Sequence, residues 1–352
     1  MILNEIEYRK TKLMHYSALK QFDNNRLTFY REYELGQKEQ SAVTNYSMIM
    51  GSLIDCLLLE PDEFDSKFKV AYCSKPTGQM GEFIDTLYNI TLKFIDKDNQ
   101  ITETLKNRLE LAFDLFKKEN PTKFKGKDLN YVIENFNKKD KDNISPLDYF
   151  QECLSSSGKL VIDNFLLNRA EKIVDTIKHG KYTKHLFQYD KNKEILYQKG
   201  IIFEYLGEIC KTLHDRIEIN HKTKTIESFD LKSTWDSEGF DYSFKKLGYY
   251  LQGGLYFSSL EQLKKDLKLE DYEILNRFTF IVCDTSMEFL PHLRIMDENL
   301  INSSLNGFED KYGIKYKGVN QLISEIQFCR NMGDFKDSLE LNNTNGKIKI
   351  EI

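Results

Sequence analysis

The chain has 352 residues, of which 40% are hydrophobic and 30% charged, with a net charge of -5. That balance fits one large globular domain or two modest ones and excludes a disordered or fibrous chain. No stretch reaches the roughly 18 uncharged apolar residues of a membrane span, so no membrane association is expected. The opening MILNEIEYRK holds no long apolar run, and the cysteines at 56, 73, 153, 210, 283 and 329 form no C-x-x-C pair. Reduced thiols in a cytoplasmic protein are the expectation.

The acidic balance argues mildly against a polyanionic partner, although local distribution matters more than the sum. Residues 117–127 (KKENPTKFKGK) hold five lysines against one glutamate. Residues 178–199 hold six lysines against Asp190 and Glu194. Either run is also consistent with a plain solvated surface.

Taken in chain order, residues 14–35 predict a short helix with Ser17 as a candidate cap. Residues 47–59 (SMIMGSLIDCLLL) predict a buried helix that stops before Pro61. Helical spacing recurs at 82–95 and 102–118, while 128–157 is polar and irregular and reads as an exposed insertion. Residues 159–178 (KLVIDNFLLNRAEKIVDTIK) carry an amphipathic helical stripe.

The pattern then changes. Three strands are predicted at 194–206, 209–220 and 224–234, joined by polar turns at Gly207–Glu208 and 220–224. A helix follows at 243–268, strands at 273–284 and 289–296, and a helix at 318–331. The tail SLELNNTNGKIKIEI suggests a hairpin about Asn345–Gly346. Helices, a meander, a helix and further strands imply an α/β arrangement around a mixed sheet.

The chemistry-bearing stretch is residues 210–236, CKTLHDRIEINHKTKTIESFDLKSTWD. Alternation along a strand places Ser228, Asp230, Lys232 and Thr234 on one face. An Asp and a Lys two apart are costly to bury without partners. A divalent cation is one partner for Asp230, with Asp215 on the preceding strand as the second carboxylate and the Leu231 carbonyl as a third oxygen. Lys232 would then position or deprotonate a water and meet charge on a phosphate. The competing reading is a surface Asp–Lys pair on an edge strand. Thr234 is able to donate to phosphate oxygens. Glu204 is a further candidate carboxylate whose face strand parity does not fix. His214 points away from Asp215 and reads as structural. Trp235 is either a base-stacking ring or a core or rim aromatic.

The ordered set Asp215, Asp230-Leu231-Lys232 and Gln252-Gly-Gly-Leu-Tyr256 resembles the PD-(D/E)XK nuclease superfamily, in its exonuclease VIII (RecE-like) and lambda exonuclease branch. HYSALKQF (15–22), MGSLIDCLLLEPDEF (50–64) and GYYLQGGLY (248–256) are similar to segments of that branch. The likeness covers roughly residues 12–75 and 195–300. It implies a restriction-endonuclease-like α/β core, a central mixed sheet flanked by helices, with a helical N-terminal half. The corresponding division is 1–75 as the N-terminal helical part of the core, 76–157 as a mainly helical insertion, and 158–352 as the catalytic core with a C-terminal extension.

The resemblance further implies Asp215 and Asp230 as ligands of Mg²⁺, with Mn²⁺ able to substitute, and Lys232 as the catalytic lysine. Gln252 and Tyr256 share a helix face and would face the site or a DNA phosphate, or else pack the helix. Gly253 and Gly254 would admit a DNA backbone. Asp55 stands where the family usually has His, either as an oxygen ligand or as a lost contact. The scattered cysteines speak against an iron–sulfur cluster. The implied activity is exonucleolytic hydrolysis of double-stranded DNA ends with 5′-to-3′ polarity, serving recombination beside a RecT-like annealing protein, in a homo-oligomer. An endonuclease with the same residues, or a DNA-binding protein that no longer cuts, are the alternatives.

Overall fold

A computed structural model describes residues 1–37, 46–98, 100–156 and 158–347. The chain forms two compact units: Met1–Gln40 with Leu58–Glu60 and Ile173–Ile352, and Ser41–Leu57 with Pro61–Lys172.

The first unit is built on a six-stranded mixed sheet whose spatial order follows the chain. Its strands are β1 (Ile2–Leu3), β2 (Lys193–Tyr205), β3 (Glu208–Asn220), β4 (Thr225–Thr234), β5 (Glu273–Asp284) and β6 (His292–Asp297). All neighbours are antiparallel except β4 and β5, which run parallel. A parallel pair needs a crossover, and helices Phe240–Lys246 and Tyr249–Leu267 supply it. The predicted helix 243–268 is broken between these two because Gly248 turns left-handed at φ 71°. Leu206 and Gly207 both take positive φ (51° and 79°) and close the β2–β3 hairpin one residue earlier than predicted. Two positive-φ central residues match the twist of a two-residue hairpin.

Helices α1 (Tyr16–Asn24), α2 (Tyr249–Leu267), α3 (Glu298–Asn306) and α4 (Val319–Met332) flank the sheet. The α1 cap is His15, whose Nδ1 accepts the Ala18 N–H, and not Ser17. Phe22, Phe29, Leu251, Leu255, Leu322 and Ile326 form one buried cluster between helices. Phe240, Tyr256, Phe278, Phe280, Met296 and Ile301 form another against the sheet. Gly253 and Gly254 are buried in α2: a Cβ on Gly253 would collide with Met296 Sδ, and one on Gly254 would lie 3.1 Å from Ser304 Cβ. These glycines let α2 pack tightly within the fold, which corrects the expectation that they receive DNA.

Among its described residues the second unit is helical apart from a parallel pair, Phe68–Val70 with Leu160–Ile162, and a single antiparallel bridge, Ile95↔Ile101. Its core gathers Phe83, Leu87, Phe116, Val132, Phe136 and Phe150. The stretch 128–157 is therefore not an irregular exposed insertion. It folds into helices Leu129–Asn137 and Pro146–Leu154, capped by Asp128 and Ser145, and buries Val132 and Phe136 at a spacing of four. Strong caps and a sparse apolar stripe suffice there despite the polar composition. The tail differs too: Leu339–Asn343 is a helix capped by Ser338, and residues 348–352 of the anticipated hairpin lie outside the described residues. No helix among the described residues is long and apolar enough to cross a membrane.

Candidate active site

The site begins where two strands part. β3 and β4 pair from Asn220↔Thr225 to Arg216↔Phe229, and no further. The next positions on the two strands are Asp215 and Asp230. Beyond the fork β4 stays paired to β5 through Thr234↔Asp284, while its other edge has lost its ladder. The first half of β3 is met instead by Met14, which exchanges backbone hydrogen bonds with Ile209 and Lys211.

A buried backbone N–H released from a ladder must find another acceptor. The Leu231 N–H finds the Asp215 carboxylate, donating to Oδ2 at 2.7 Å. Asp215 Oδ1 accepts from Gln198 Nε2 at 3.3 Å. The two acids are thus tied to one fork, Asp215 by its side chain and Asp230 by its place beside Leu231.

Asp230 is 2% exposed. Its Oδ1 accepts from Gln252 Nε2 on α2 at 2.6 Å. Its Oδ2 takes no hydrogen bond of acceptable angle and is met by the Lys232 ammonium as an ion pair. The lysine Nζ also lies 4.8 Å from the Tyr249 ring centre and 6.0 Å from that of Phe280. Burial pushes the Asp230 carboxyl up from its ordinary range, against the pull of Lys232 and Gln252. Burial also disfavours the charge on Lys232, but Asp230 outweighs it, helped by Tyr16, Asp215 and Tyr249, and the lysine pKa is raised. We read the pair as ammonium and carboxylate, each retaining its charge because the other is there.

Gln252 Oε1 is buried and without a hydrogen-bond partner. An orphaned carbonyl oxygen on the amide that holds Asp230, with Asp215 on the strand across the fork, offers oxygen donors only, the chemistry that hard divalent cations take. Among the described residues no group of three or more His, Cys, Asp or Glu stands together as a metal cage. A cation here would therefore rest on two carboxylates, neutral oxygens and water. On donor chemistry the residues fit such a cation.

The other sequence candidates fall as follows. Tyr256 is buried in the core, its ring 4.8 Å from His214 and 6.1 Å from both Tyr16 and Phe278. Thr234 closes β4, with its hydroxyl bonded to the backbone of Asp236. Glu204 is exposed and pairs with Ile209 near the hairpin end of β2, six residues along the strand from Gln198; it does not join the fork. Asp55 is half-buried on helix Tyr46–Leu59 and belongs to the second unit. His214 is buried and contacts the hydroxyls of Thr212, Ser228 and Ser259. Trp235 is 72% exposed just past β4.

Three residues of the site went unassigned in the sequence. Tyr249 stood in the quoted GYYLQGGLY and Tyr16 in HYSALKQF, but nothing in either segment marked the ring that faces the lysine. Gln198 had no signal at all: its place opposite Asp215 emerges only in the fold.

No family model and no curated protein matches the sequence. A crystal structure described as a "Putative exonuclease" from Eubacterium rectale aligns with 100% of this chain and 96% of its own, at 15% identity and a TM-score of 0.43. That likeness is too loose to assign a fold or a function by itself. What stands is a mixed α/β unit with six strands flanked by helices, carrying a buried Asp–Lys–Gln centre at a fork in its sheet.

Proposed function

We propose that this centre hydrolyses phosphodiester bonds in DNA with the aid of a divalent cation, on a PD-(D/E)XK-type core of the exonuclease VIII (RecE-like) kind. The observation that carries the reading is the convergence on one fork of Asp215 from β3, Asp230 and Lys232 from β4, and Gln252 from α2. A buried ion pair gives little net stability over an apolar pair, so its presence asks for a functional reason.

Asp215 and Asp230 would hold the cation, with the Leu231 carbonyl and Gln252 Oε1 as neutral oxygens. When bound, a Mg²⁺ or Mn²⁺ ion polarises a phosphoryl oxygen and acidifies water. The remaining work belongs to the chain. Lys232 stands against Asp230 at the fork, so its role is to position or deprotonate the attacking water and to donate to a phosphate oxygen where charge builds. Gln252 fixes the Asp230 carboxylate so that its second oxygen and the lysine stay in register. Thr234, at the open end of β4, is a candidate phosphate contact. The substrate proposed is double-stranded DNA ends, resected 5′ to 3′ for recombination with a RecT-like annealing partner, by a homo-oligomer in the cytoplasm.

The test is digestion of linear and covalently closed circular duplex DNA with Mg²⁺, Mn²⁺ or EDTA, beside Lys232→Ala. Loss of linear DNA alone, dependent on cation and lysine, is the expected result, and label at either terminus reads the polarity. Cutting of the circle would make the enzyme an endonuclease. Intact duplex, single strands and RNA under both cations would sink the catalytic reading.

A further inference from the structure

We infer that Gln198 is the positioning residue of this centre, fixing the Asp215 carboxylate from the neighbouring strand. Three independent features single it out. It stands opposite Asp215 at the one interruption of an otherwise unbroken β2–β3 ladder: Tyr197↔Arg216 and Lys199↔His214 pair, and the positions between them do not. Its backbone lies in the left-handed region at φ 47°, a costly conformation for glutamine inside a strand that persists only where the surroundings impose it. Its side chain is buried at 8% exposure and its amide Nε2 reaches Asp215 Oδ1 at 3.3 Å.

The consequence follows from what Asp215 does. Its other oxygen holds the Leu231 N–H at the point where β3 and β4 separate. Leu231 holds one carboxylate oxygen and Gln198 the other, and donors on opposite oxygens set the plane of the carboxylate. Gln198 therefore acts on that plane from the one gap in the β2–β3 ladder, directly across from Asp215. The positional claim is independent of the chemistry; its effect on cleavage rests on the hydrolytic reading proposed above.

Gln198→Gly keeps the left-handed backbone without strain and removes the amide. Gln198→Asn tolerates the same backbone but is one methylene shorter. Both are expected to melt at or near the wild-type temperature. Hydrogen exchange in metal-free protein, read at single-residue resolution by NMR, reports the Leu231 amide, with Asp215→Ala defining complete loss of its acceptor. We expect about tenfold faster exchange at that amide in both Gln198 variants, with the rest of β3 and β4 unchanged. Exchange equal to wild type in the Gln198 variants, while Asp215→Ala is fast, would overturn the inference whatever the activity. In the cleavage assay the variants should lose about tenfold in kcat with KM for DNA within about twofold; an effect confined to KM would also overturn a positioning role. If the wild-type protein cuts nothing, the proposed function falls and the exchange result still decides the role of Gln198.

Discussion

Gln252 on α2 donates to Asp230 on β4 at 2.6 Å, and both side chains are almost wholly buried. This bond joins the crossover helix to the strand it serves. Replacing Gln252 by Ala leaves a buried carboxylate oxygen without its donor, which costs about 1–3 kcal/mol. Urea unfolding of Gln252→Ala, Asp230→Ala and the double variant should show a coupling of about 0.5–3 kcal/mol, the range for groups in one network. Additive losses would mean the two side chains do not work together.

The Lys232–Asp230 ion pair separates stability from function. Lys232 is 14% and Asp230 2% exposed at the side chain. Removing one member strands a buried charge, and Lys232→Met should destabilise by about 3–5 kcal/mol in EDTA. Asp230→Leu combined with Lys232→Met removes both charges and should recover most of that loss. Cleavage should be abolished in the single and the double variant alike. A double variant as unstable as the single would show that the cost is packing and not charge.

Much of this centre was legible in the sequence because a strand imposes a period of two. Asp230 and Lys232 at i and i+2 must share a face, and a hairpin returning through 220–224 must bring Asp215 beside them. The five sheet strands 273–284, 194–206, 209–220, 224–234 and 289–296 followed from the same rule, and the structure has β5 at Glu273–Asp284. What the pattern could not carry was the fork. Alternation predicts pairing to continue past Phe229; instead β4 leaves β3 there, and the β3 edge it vacates is met at Cys210 by Met14, a contact that no local pattern announces. The left-handed backbone of Gln198 is equally silent, because glutamine has no preference for it. In the second unit, the helices Leu129–Asn137 and Pro146–Leu154 are amphipathic, with Val132 and Phe136, and Tyr149, Phe150 and Cys153, turned inward, but each is only nine residues long and the polar run 138–143 between them masks the pattern.

His214 makes a pH prediction with a definite sign. Burial lowers its pKa from 6.5 to about 3, and its ring nitrogens face the hydroxyls of Ser228 and Ser259 at 2.7 and 2.8 Å. The folded state therefore holds the neutral imidazole, while the unfolded chain protonates near 6.5. Above that pH the residue contributes its full stability; as pH falls from 6.5 towards about 3 the unfolded state binds the extra proton and stability is lost. The slope approaches about 1.4 kcal/mol per pH unit. Urea midpoints of wild type and His214→Gln across this range isolate the term, since the carboxylates are common to both. Parallel curves would show that the histidine is protonated in the fold.

Gly253 tests whether the glycine pair in α2 serves packing. A Cβ at Gly253 would overlap Met296 Sδ and come within 3.3 Å of Phe278, whereas one at Gly254 would sit 3.1 Å from Ser304 Cβ. Alanine gains about 1 kcal/mol of helix propensity over glycine at either position. Against that, overpacking a filled core costs about 1–3 kcal/mol. At Gly253 the obstacle is the Sδ–Cε end of Met296, a side chain only 1% exposed and so with no open space to swing into, and the overpacking outweighs the propensity: Gly253→Ala should be destabilised. At Gly254 the neighbour needs to yield only a few tenths of an ångström, so Gly254→Ala should lie close to wild type. Denaturant unfolding orders the two. A Gly253→Ala protein as stable as wild type, with DNA affinity reduced, would restore the idea that this helix face receives a DNA backbone; lost stability with unchanged affinity in the remaining folded protein places the glycines in the core.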